Sequence, residues 1–69
     1  MRYKFKGYEI VQWENGYHFS NISIYKILDD EKGTMQKLKS TAEIGSVSRE
    51  TLEKMLHDYI KEHNLLEDK

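Results

Sequence analysis

The sequence predicts an α+β fold, a three- to four-stranded antiparallel sheet followed by one C-terminal amphipathic helix packed on one face. Three observations predict it. Tyr8 to Trp13 and Tyr17 to Leu28 are rich in aromatic and β-branched residues and flank Glu14-Asn15-Gly16, a hairpin signal. A second turn signal, Asp29-Asp30-Glu31-Lys32-Gly33, precedes a stretch in which Leu38, Ala42 and Ile44 alternate partly with Lys37, Lys39, Thr41 and Glu43. Further on, Leu52, Met55, Leu56, Tyr59, Ile60 and His63 recur at offsets of 0, 3, 4, 7, 8 and 11, the stripe of an amphipathic helix. The sheet is expected over about residues 2–44 and the helix over about 49–63, in one domain spanning residues 1–69.

Each element has its own local reason. Arg2 to Phe5 reads as a short first strand turning at Lys6-Gly7, because the apolar phase shifts there from odd (Tyr3, Phe5) to even (Tyr8, Ile10); alternatively, Gly7 is a bulge in one long strand. Asn tolerates and Gly prefers the positive φ that the Glu14-Asn15-Gly16 hairpin requires. Two registers are open. A two-residue loop sets Trp13 opposite His18, and a three-residue loop sets Trp13 opposite Tyr17 and Val11 opposite Phe19. The second gathers Val11, Trp13, Tyr17 and Phe19 on one face and leaves Tyr8, Ile10, Ile22 and Ile24 on the other. The strand through Leu38, Ala42 and Ile44 is expected to have one solvated face. Ser48 is the expected N-cap of the helix, Glu50 complements its positive end, and Asn64 supplies a stop.

Composition narrows the function classes. The chain has 69 residues and no Cys, so neither a disulfide framework nor thiolate metal ligands contribute, and a reducing, cytoplasmic setting is expected. Charged residues follow Met1 with no apolar stretch behind them, and the longest apolar runs are pairs such as Ile10-Val11 and Leu65-Leu66, so neither a signal peptide nor a membrane span is expected. Lys and Arg number 11 against 12 Asp and Glu, short of the basic excess of a dedicated duplex-DNA binder. Seven of the eight aromatic residues precede Lys26, which makes the first hairpin the most distinctive region.

Chemistry finds little to stand on. His57 and His63 are six residues apart, too far round a helix to share a metal, and His18 is on a strand among aromatics. The Asp29–Gly33 turn lacks the alternating oxygen ligands and closing Glu of a calcium loop. Four dispersed glycines make no phosphate cradle. No metal, no cofactor and no enzymatic activity are expected.

The remaining feature is the sheet. With the helix over Ile10, Ile22, Ile24, Leu38 and Ile44, the rings of Trp13, Tyr17, Phe19 and Tyr25 occupy the uncovered face, and an apolar patch of that kind marks an interface. The expected function is a non-enzymatic protein-binding module, a small adaptor or inhibitor docking through the aromatic face or a strand edge, with another protein or a second copy of itself as partner. A bulge near Ser20-Asn21 gives the opposite outcome, uniting Phe19 with Ile22 and Ile24 in one core and leaving the surface bland. In composition, the chain is similar to small accessory proteins of bacteria and their phages.

Nucleic-acid binding is the alternative. Arg2, Lys4 and Lys6 interleave with Tyr3, Phe5 and Tyr8, and Lys37 and Lys39 are expected on the outward face of their strand. Lysines neutralise phosphates while aromatic rings stack on bases. In element order the chain resembles the small sheet-reading DNA-binding domains at the N-termini of some phage-type integrases. It lacks their strongly basic sheet, and no residue role is carried over.

Overall fold

Alternating apolar residues need a second layer to bury against, and the C-terminal helix supplies it. The computed structural model describes residues 1–14 and 19–65. It contains β1 (Arg2–Phe5), β2 (Tyr8–Glu14), β3 (Phe19–Asp29), β4 (Thr34–Ile44) and α1 (Arg49–Glu62). The strands form one antiparallel sheet in the order β1-β2-β3-β4, each beside its sequence neighbour.

The turns follow from local chemistry. Lys6 and Gly7 have φ of 49° and 87°, the paired positive values of a type I′ hairpin, so β1 is a separate strand with Phe5 opposite Tyr8. Between β3 and β4 the Asp29 carboxylate accepts from the backbone N–H of Glu31 and Lys32 at 3.1 and 3.3 Å, and Gly33 closes the turn at φ 73°. Residues 15–18 lie outside the described residues, and the expected Asn15-Gly16 turn falls among them. The pairing on either side corrects the expected register. Val11 faces Ser23 and Trp13 faces Asn21, four positions from the three-residue-loop register. Because a strand's side chains alternate with period two, a four-residue shift leaves each on its expected face.

Ser48 caps the helix, accepting from Thr51 N–H at 3.2 Å, and Asn64 ends it at φ 52°. Leu52, Leu56 and Ile60 of α1 pack on Tyr8, Ile10, Ile22 and Ile24, with Met55, Tyr59, Val47, Tyr3 and Phe5 around the rim. Burying one such aliphatic side chain stabilises the fold by about 1.5–3 kcal/mol, so this layer carries most of the hydrophobic term. His63, the last member of the predicted stripe, is exposed and lies tilted against Tyr59 instead, with ring centroids 4.3 Å apart.

The helix rests mainly on β1 and β2. At about 1.5 Å per residue α1 is roughly 21 Å long, whereas the two 11-residue strands run to about 36 Å, so part of the β3–β4 ribbon extends past it. Most of β4 is exposed.

One strand departs from expectation. A β-bulge shifts the β3–β4 register, with Lys39 opposite Ile24 but Lys37 opposite Tyr25. The extra residue, Leu38, packs against the helix-side core, while Ala42 and Ile44 emerge on the other face. Ile44 is therefore no counterpart of the helix. It is 83% exposed.

Candidate docking surface

The face of the sheet turned away from α1 carries Arg2 and Lys4 from β1, Glu9, Val11 and Trp13 from β2, and Phe19, Asn21, Ser23 and Tyr25 from β3, with Lys37, Ser40, Ala42 and Ile44 from β4. This pattern is the open-face arrangement, and the alternative with Phe19 joined to Ile22 and Ile24 does not occur. Trp13 is 54% exposed and Phe19 is 45% exposed. Phe19 lies directly opposite Ile44 and diagonal to Trp13, which faces Asn21 and, beyond it, Ala42. Side chains in these relations stand roughly 5–8 Å apart, close enough for one patch. It occupies the end of the sheet where the chain leaves β4 for the helix.

Of the four residues expected to make the docking surface, Trp13, Phe19 and Tyr25 share this face. Tyr17 lies outside the described residues. Tyr25 is half-buried and sits apart from the patch, in a row that runs Lys4, Glu9, Tyr25, Lys37 across the sheet. Ile44 belongs to the patch and escaped the sequence reading, because a bulge in the middle of β4 reverses the parity of everything after it.

The residues expected to bind nucleic acid are divided between faces. Arg2, Lys4 and Lys37 are on the open face, and Lys6 is in the β1–β2 turn, 5.7 Å above the Phe5 ring. Tyr3 faces the helix, where its hydroxyl hydrogen-bonds His57 Nε2 at 2.9 Å. Lys39 also turns to the helix side, 5.8 Å from the Tyr59 ring, so the expected outward pair of Lys37 and Lys39 is separated. Arg2 Nε stands 3.4 Å from Glu9 Oε2, and Lys4 Nζ stands 3.4 Å from Asp30.

Glu9 is unusual. Like Val11 and Ser23 it is buried on the helix-free face, at 2% exposure, but it is a charged group, and its Oε2 makes no hydrogen bond, the Arg2 contact being an ion pair without hydrogen-bond geometry. Its neighbours by register are Lys4 and Tyr25, with Arg2 two positions along β1. Long side chains on both sides of a central strand shield a shorter one between them.

On the helix side, a cleft of about 240 Å³ separates α1 from β4, with Ile22, Ile24, Met55 and Tyr59 as its apolar floor and Lys39, Asp58 and Glu62 at its rim. That is below the ~300 Å³ at which small-molecule pockets usually begin. Among the described residues no three His, Asp or Glu side chains converge as metal ligands, and no helix is long and apolar enough to cross a membrane.

Among the described residues, fold and surface together define an α+β protein in which one helix covers part of one face of a four-stranded meander and aromatic rings stand on the other. No protein-family model, curated protein or solved structure matches the chain.

Proposed function

We propose that the chain is a non-enzymatic protein-binding module that docks through the open face of its sheet, with Trp13 and Phe19 as anchors and Ile44 beside them. The observation that carries this is the succession of three large, exposed apolar side chains, Trp13, Phe19 and Ile44, on the face turned away from α1, where no other element of the described residues packs over them. Aromatic rings suit the task because they offer wide contact with few rotors to freeze. Absence of Cys supports a reducing, cytoplasmic setting.

The chain has one Trp, so its fluorescence reports the patch directly. Trp13 emission should be that of a hydrated indole in the isolated protein and should shift to the blue when a partner covers it. Trp13→Ala with Phe19→Ala should abolish partner capture while the circular dichroism stays native. Capture by the double variant at the wild-type level would overturn the proposal.

Nucleic-acid binding through Arg2, Lys4 and Lys37 is a second reading, supported by their shared face and by Tyr25 between them. It has less support, because Arg2 and Lys4 are already opposed by Glu9 and Asp30. Oligonucleotide affinity that falls steeply between about 50 and 200 mM salt would favour it, since each neutralised phosphate adds to the salt slope.

A further inference from the structure

An edge strand presents a row of unpaired backbone N–H and C=O groups, and proteins usually blunt such edges with short strands, prolines, bulges or a covering layer. The two edges of this sheet are unequal. β1 has four residues, whereas β4 has eleven and no proline, and the backbone of α1 lies nearest β1 and β2. The bulge at Leu38 interrupts only the first half of β4. From Lys39 to Ile44 the strand pairs with β3 in unbroken register, so it offers a regular edge six residues long.

That regular segment is self-complementary. Resting on the reading of the chain as a binding module, we propose that the β4 edge pairs antiparallel with β4 of a second copy, on a two-fold axis at Thr41, to make one continuous eight-stranded sheet. In this register Thr41 faces the partner's Thr41, Ser40 faces the partner's Ala42 and Lys39 faces the partner's Glu43, the last pairing occurring twice. Lys39, Thr41 and Glu43 lie opposite Ile24, Ile22 and Ser20 and so share the helix side, while Ser40 and Ala42 share the other. Residues directly opposite in an antiparallel pair project to the same face, and opposite charges or paired threonines there are favourable.

Neighbouring registers lack this match. An axis at Ser40 sets Lys37 against the partner's Glu43, but the bulge has sent those two side chains to different faces. An axis at Ala42 sets Lys39 against the partner's Gly45 and leaves Glu43 opposite the partner's Thr41. An axis at Lys39 or Glu43 opposes like charges, which is unfavourable. The covalent register is equally specific: Thr41 Cα atoms would stand about 4.5–5.5 Å apart across the axis, while Glu43 and the partner's Glu43 would be four positions apart, about 13–14 Å.

Sedimentation of the full chain over a range of concentrations should show a reversible monomer–dimer equilibrium. Lys39→Glu and Glu43→Lys should each weaken the dimer by about tenfold or more, through two repulsive pairs, and the double swap should restore it. In this Cys-free chain, Thr41→Cys should form a disulfide-linked dimer on mild oxidation, and Glu43→Cys should not. A folded chain that stays monomeric, a dimer indifferent to both reversals, or equal cross-linking at the two positions would overturn the pairing. The Trp13 and Phe19 test is independent of these outcomes. A monomer that still needs both rings for capture refutes the pairing alone, and a Thr41-centred dimer that captures no partner refutes the aromatic docking alone.

Discussion

The side-chain amide of Gln12 treats the backbone of Val47 as a neighbouring strand would: it accepts from Val47 N–H at 2.8 Å and donates to Val47 C=O at 3.3 Å. This exchange joins the centre of the sheet to the connection between β4 and α1, one residue before the N-cap. It ties the segment just before the helix to β2. Gln12 is buried and Val47 half-buried, so both bonds are partly shielded from water.

Gln12→Leu keeps the volume and removes both partners of Val47. A buried polar group left without a partner costs about 1–3 kcal/mol, and the expected loss is about 2 kcal/mol, read as a lower urea midpoint. An unchanged midpoint would show that the Val47 groups find water instead.

Glu9 should limit stability. Its carboxylate is desolvated and opposed by a single Arg2 whose side chain is largely exposed. Replacing a buried ion pair with apolar residues is often neutral or stabilising, the partner that Glu9→Val leaves behind already stands largely in water, and a β-branched residue suits the strand. Glu9→Val is expected to raise stability by about 1 kcal/mol. A loss of that size in urea denaturation would show instead that the Arg2 pair is net favourable.

The two faces of the sheet should respond differently to truncation. Leu56→Ala empties part of a fully buried layer and is expected to cost about 2–5 kcal/mol, whereas Trp13→Ser removes a ring that is already half in water and is expected to cost less than about 1 kcal/mol. Equal losses in thermal or chemical unfolding would place Trp13 in the core and remove the basis for a docking surface.

Lys6 holds a positive φ that an L-residue with a Cβ adopts at a cost. Lys6→Asn creates the Asn-Gly pair that type I′ turns favour and gives up only the exposed contact with the Phe5 ring. A rise of about 0.5 kcal/mol in unfolding free energy is expected. A fall would mean that the Lys6 contact outweighs the backbone strain.

Where local rules govern, the fold was legible. Ser48, Glu50 and Asn64 mark the helix ends in sequence and in structure, and the period of Leu52, Leu56 and Ile60 names its buried face. The phase change at Lys6-Gly7 marks a real turn. Face assignment of Trp13 and Phe19 survived a four-residue error in register because the error was even. By the same arithmetic, the single extra residue at Leu38 reversed Ile44 and divided Lys37 from Lys39.

Composition and periodicity by themselves determined the classes of element, their order and, apart from Ile44, the aliphatic layer beneath the helix, because side-chain alternation and capping act within a few residues. Tertiary structure alone decided the burial of Glu9, the bonding of Gln12 to Val47 and the gathering of Trp13, Phe19 and Ile44. Each depends on which residues of distant strands come to lie opposite one another. Register and bulges are settled by the packing of the whole sheet, and no local pattern encodes them.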